Sequence, residues 1–80
     1  MSMLYYYAKK VVETGGVLHK LMVHDLRLYI KRTPEDQLVN EIMQLNEIPL
    51  LRALWEAGLN ARLQRIVLAR TEELARRQGR

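Results

Sequence analysis

The sequence predicts an all-α fold, a compact bundle of about five helices, two long and three short. Three observations carry this expectation. Apolar residues recur at three- and four-residue intervals along most of the 80 positions. Thr14-Gly15-Gly16, Thr33-Pro34, Pro49 and Gly58 interrupt that pattern at places where helices stop or start. Lys20, His24, Arg27 and Lys31 are spaced +4, +3, +4, which is one stripe of a helix and no stripe of a strand.

The first helix is expected from about Met3 to Glu13. Leu4, Tyr7, Ala8, Val11 and Val12 share one side, and Lys9, Lys10 and Glu13 fall elsewhere. Thr14-Gly15-Gly16 ends it, because Gly takes the left-handed backbone that closes a helix C-terminus. A β-hairpin turning at Gly15-Gly16 competes with this reading. The flanking runs do not alternate as strands would, so the helix is preferred.

Residues 17–32 form the second helix. Beside the basic stripe stand Leu18, Leu21, Met22, Leu26, Tyr29 and Ile30. Val17, Val23 and Leu28 widen the apolar arc beyond what one neighbouring helix covers. His19 and Asp25 lie at its margins and need partners if buried.

Thr33-Pro34-Glu35-Asp36 opens the third helix. Thr33 is the expected N-cap, Pro34 fits the first helical position, and the two acids suit the positive end of the dipole. Leu38, Val39, Ile42, Met43 and Leu45 continue to Asn46. Pro49 starts a short fourth helix carrying Leu50, Leu51, Leu54 and Trp55, and Gly58 ends it. Asn60 caps the last helix. Leu63, Ile66, Val67 and Leu74 are its apolar side, and Arg62, Arg65, Glu72, Glu73, Arg76 and Arg80 its polar side. Glu72 with Arg76 and Glu73 with Arg77 stand at i, i+4, each pair supporting the helix by about 0.3–0.5 kcal/mol.

Composition narrows the function classes. The length fits a single domain spanning 1–80. Hydrophobic residues make up 49% of the chain, so either the core is unusually rich in aliphatics or some apolar surface is left for a partner. Cys is absent, which excludes disulfides and thiolate metal sites. No apolar run approaches the ~20 residues of a membrane span, and the N-terminal residues do not read as a secretion signal. An intracellular, cytoplasmic protein without membrane association is expected.

The charges are sorted. Residues 1–33 carry a net +4, residues 34–60 a net −4, and residues 61–80 a net +4. Local fields of this kind select partners more than the overall +4 does.

Catalysis finds little support. Two His at i, i+5 do not share a helix face, so they make no two-His metal site. Gly15-Gly16 lacks the Lys-Ser/Thr sequel of a phosphate loop, and Ser2, the single serine, stands at the terminus. A non-enzymatic protein is expected, with no cofactor, no metal and no small-molecule substrate.

Two basic features are candidates for binding. Lys20, His24, Arg27 and Lys31 contain no acid in their stripe and match successive phosphates; an ordinary solvated helix face is the plain alternative. The last helix carries six Arg and no Lys, and Arg meets phosphate with two parallel hydrogen bonds; partial compensation by Glu72 and Glu73, with Arg favouring the helix C-terminus, is the equally ranked alternative. Residues 50–67 resemble a helix-turn-helix, with Gly58 in the turn and Asn60, Arg62, Gln64 and Arg65 opening the second helix. Leu54 and Gln64 depart from that pattern, and Glu56 would face the DNA side. A plain αα-hairpin is the preferred reading, and no family is assigned. Tyr5, Tyr6 and Tyr7 beside Lys9 and Lys10 suggest either a base-stacking platform or helix-edge packing. Trp55 reads as core or interface.

Two functions follow. The first is binding of DNA or RNA backbone through Lys20, His24, Arg27, Lys31, Arg62 and Arg65. The second is a structural interaction module, most simply a homodimer, with Leu28, Trp55, Ile66 and Leu68 at the interface. The first gains if the basic residues share a surface. The second suffices if Glu35, Asp36, Glu41, Glu47 and Glu56 consume them. The nucleic-acid reading is preferred, with dimerisation expected in either case.

Overall fold

Ser2 starts the chain's first helix, its hydroxyl accepting the Tyr5 amide at 3.2 Å. A computed structural model describes residues 2–79. The expectation that Arg80 extends a polar face lies outside them. Five helices follow: α1 (Met3–Glu13), α2 (Gly16–Arg32), α3 (Glu35–Gln44), α4 (Ile48–Ala57) and α5 (Ala61–Gln78). No strand occurs among the described residues, which removes the hairpin alternative.

The boundaries have local causes, and two differ from expectation. The break after α1 does not use a left-handed cap. Thr14 and Gly15 are extended, and the positive φ, +62°, falls on Gly16 at the start of α2. Thr33 does not cap α3. Its hydroxyl donates instead to Tyr29 O at 2.5 Å, one turn back at the end of α2. Pro34 takes the cap position, and Glu35 and Asp36 fill the first turn of α3 as expected. Gly58 ends α4 with φ +105°, and its amide reaches Leu54 O at 3.1 Å. Asn60 caps α5 by accepting the Leu63 amide at 2.9 Å.

The helix α1 sits at the centre of the packing, against α2, α3 and α4, while α5 lies across α3 and α4. Leu4, Ala8 and Val11 of α1 meet Val23, Leu26 and Tyr29 of α2 and a dense face of α4, Leu50, Leu51, Ala53, Leu54 and Ala57. Leu38, Ile42 and Leu45 close one side, and Leu63, Val67 and Leu74 another. The radius of gyration, 12.1 Å, matches the ~12 Å of a close-packed chain of this length. Among the described residues no helix is long and apolar enough to cross a membrane.

Several residues expected in the apolar faces stay outside. Val12, Leu18, Leu21 and Met43 are exposed. Two charged residues replace them inside, each 7% exposed. Glu41 accepts the Tyr29 hydroxyl at 2.8 Å and the Leu4 amide at 3.3 Å, adding a second cap to α1. Arg70 donates Nε to Leu45 O at 3.1 Å, Nη2 to Asn46 Oδ1 at 2.8 Å and Nη1 to Glu73 at 2.8 Å. It ties α5 to the α3–α4 connection.

Candidate nucleic-acid interface

On α2 the stripe forms as predicted. At 100° per residue Lys20, His24, Arg27 and Lys31 fall within about 60°, and all four are exposed. They line two adjoining clefts that share Arg27. The smaller, about 240 Å³, is bounded by His19, Lys20, Val23, His24, Arg27 and Glu56. The larger, about 450 Å³, runs from Arg27 and Lys31 across Thr33 and Glu35 to Gly58 and Asn60.

Arg27 divides them, and it is held in place. Its Nε donates to Ala57 O at 2.8 Å. Ala57 is the last residue of α4, so its carbonyl lacks a partner within the helix and carries the negative end of the dipole. One edge of the guanidinium is thus fixed by backbone. Its Nη groups make no hydrogen bond among the described residues, nor do the side chains of Lys20, His24 or Lys31.

Two acids reach the clefts, and both are engaged by partners other than the stripe. Glu56 Oε2 lies 2.7 Å from His19 Nε2. His19 Nδ1 lies 3.0 Å from Val11 O and 3.1 Å from Thr14 O. All three neighbours are acceptors, so the ring must donate from both nitrogens, which only the imidazolium does. Glu56 foremost, with the Thr14 carbonyl next, holds the His19 pKa above its ordinary value. The ring therefore ties α2 to α4 and to the end of α1. It keeps no nitrogen to serve as a base toward a substrate.

The second acid, Glu35, accepts Asn60 Nδ2 at 2.7 Å and pairs with Arg62. The Asn60 amide first, and Arg62 after it, lower the Glu35 pKa from the usual carboxylate range. Arg62 is consequently not among the unpaired cations of the free chain. Arg65 is exposed and makes no ion pair among the described residues, but it lines neither cleft.

The arginine-rich surface expected on α5 is largely spent. Arg70 is buried, and Arg77 pairs with Glu73 at 3.1 Å. The Glu72–Arg76 pair is absent among the described residues, where Glu73 instead bridges Arg70 and Arg77. Arg70, foremost, lowers the Glu73 pKa. Two residues that depart from the helix-turn-helix pattern are both engaged within the chain. Leu54 is fully buried between its neighbours, and Gln64 Nε2 donates back to Leu59 O at 3.1 Å.

The tyrosines do not form one platform. Tyr7 stacks on Tyr29, centroids 5.0 Å apart, with Arg32 donating to its hydroxyl at 3.2 Å. Tyr5 meets Tyr6 edge-on at 6.0 Å and holds Lys9 Nζ at 3.0 Å. Of the expected interface residues, Leu28, Trp55 and Leu68 are exposed, Trp55 at 42%. Ile66 is half-buried and packs on the core instead. Among the described residues no group of three or more His, Asp or Glu is placed to hold a metal ion.

Sequence reasoning missed Ala57 O as a determinant of this surface, and it named Glu35 and Glu56 among the acids that could consume the cations without giving their partners. Their contacts with Arg27, Arg62 and His19 span 30, 27 and 37 residues, beyond any local pattern. Comparison with protein-family models, curated proteins and solved structures finds no match to this chain.

Proposed function

We propose that this protein binds the backbone of DNA or RNA through the exposed flank of α2, without enzymatic activity. One observation carries the reading. Arg27 is anchored by Ala57 O between two clefts, with Lys20 and His24 beside one and Lys31 beside the other. None of the four pairs with a carboxylate among the described residues. Anchoring lowers the conformational entropy lost when a guanidinium takes up a phosphate. Lysines on either side add charge that steers a polyanion and releases its counterions. Sequence-independent backbone binding is the form this takes, because cations in a stripe neutralise successive phosphates whatever bases the strand carries. An electrophoretic shift assay at low salt tests it. A complex at micromolar protein, formed equally with unrelated sequences, is the expected result. No complex at tens of micromolar removes the proposal.

A second reading, self-association, is supported by a different observation. Val17, Leu21 and Leu28 fall within about 40° of one another on α2, and Val17 is 78% exposed. This apolar ridge adjoins the basic stripe and is left uncovered by the other described residues. A homodimer built on it would enlarge the basic surface. Sedimentation tests that reading separately.

A further inference from the structure

The larger cleft holds an anion of the protein's own. Glu35 lines its wall with Arg27 and Lys31 and receives Asn60 Nδ2 and Arg62. The carboxylate also stands where two helices begin, α3 at Glu35 itself and α5 just past Asn60. Arg62 and Asn60 thus hold this carboxylate at the edge of a cleft of about 450 Å³, whose wall Arg27 and Lys31 share without pairing to it. The ion pair is exposed, and exposed pairs are weak enough to exchange.

We propose that Glu35 occupies a phosphate subsite, and that a backbone phosphate of a bound strand displaces it from Arg62 and Asn60. This rests on the nucleic-acid reading above and adds a regulatory element to the same site. In the unbound protein Glu35 masks Arg62 and closes one end of the cleft to stray anions. A strand already engaged by Arg27 and Lys31 brings its next phosphate to that position. The phosphate then takes over the two donors, and Glu35 swings to solvent. Arg62 becomes a ligand only in the complex, which is why it is paired in the free chain.

The test is a double-mutant cycle on the full chain, read by anisotropy of a fluorescein-labelled single strand of about 20 nucleotides at about 50 mM KCl. Glu35→Gln should tighten binding by about 3- to 10-fold and steepen the log–log salt slope by about 0.7. Asp36→Asn removes the same charge one residue away and should change affinity by less than about twofold. Arg62→Gln should weaken binding by about twofold alone and by more in the Glu35→Gln background, where it abolishes the gain. Equal tightening by Glu35→Gln and Asp36→Asn would mean bulk charge only, and overturns the proposal. If the wild type binds and the α2 lysines matter while this cycle is additive, only the present inference falls. If no variant binds, the underlying reading falls with it. A second measurement needs no variant: the Arg62 side-chain Nε–H resonance should shift on titration with the strand, while that of buried Arg70 stays. An unmoved Arg62 beside shifting α2 amides overturns the proposal.

Discussion

The Tyr29 hydroxyl donates to the Glu41 carboxylate at 2.8 Å, inside the core and across twelve residues of sequence. The same carboxylate takes the Leu4 amide, so one acid fastens α3 to both α2 and the start of α1. Burial, and then the bond and charge of Glu41, raise the Tyr29 pKa. Tyr29→Phe should cost about 2 kcal/mol, a charge-assisted hydrogen bond. Glu41→Ala should cost about 3–4 kcal/mol, because it leaves the Tyr29 hydroxyl and the Leu4 amide buried without an acceptor. Urea denaturation checks both. A cost under about 1 kcal/mol for Glu41→Ala would show that the pair does not hold the bundle together.

The His19 bridge predicts a pH dependence of definite sign. Its pKa is higher in the folded chain than in the unfolded one. Its stabilising contribution is complete below the unfolded value of about 6.5 and is lost as pH rises through the folded value. Wild type should therefore exceed His19→Gln in stability most at mildly acidic pH, and the gap should close toward alkaline pH. Thermal unfolding of the two chains across that range measures it. A gap that widens with rising pH would contradict the imidazolium assignment.

Gly58 and Gly15 should respond to alanine in opposite directions. Gly58 has φ +105° and ψ 132°, a backbone region that residues with a Cβ avoid. A Cβ there meets nothing within 4 Å, so the penalty comes from the dihedrals alone. Gly58→Ala should lose about 1–3 kcal/mol. Gly15 is extended, with φ −138°, and open around its Cα. Gly15→Ala should gain about 0.4–1 kcal/mol by restricting the unfolded chain. Denaturant midpoints at constant slope decide both.

Self-association should run through the ridge of α2. Sedimentation at about 50 μM should give a mass above the 9.4 kDa of one chain, and Leu28→Lys should restore 9.4 kDa. A wild-type mass of 9.4 kDa at that concentration would remove the ridge as a dimer interface.

Local chemistry made much of this fold legible. The span of α1, the Asn60 cap, the stop at Gly58 and the stripe on α2 all follow from spacing and from the residues that punctuate helices. Thr33 was misassigned because its hydroxyl had two helix ends within reach, and it bonds the preceding one. Glu41 and Arg70 were invisible for a different reason. A charged residue on a helix reads as solvent-facing unless its distant partners are known, and theirs are Tyr29 and Leu45. Glu41 was expected among the acids that compete for cations, and its burial rules that out. The same limit applies to the site. Charge spacing showed which cations share a stripe, but not that Ala57 O anchors one and Glu35 occupies another.

The proposed function reduces to whether the α2 stripe meets phosphate. The direct measurement is the salt dependence of oligonucleotide affinity for the wild type and for Lys20→Glu/Lys31→Glu at one fixed pH near 7.5. The three cations of α2 at about −0.7 each contribute about −2 to the slope on a single strand. Reversing two of them should bring that contribution to about −0.7 and weaken binding at least about tenfold at 50 mM salt. An unchanged slope and affinity in the double variant would place the binding surface elsewhere and contradict the account.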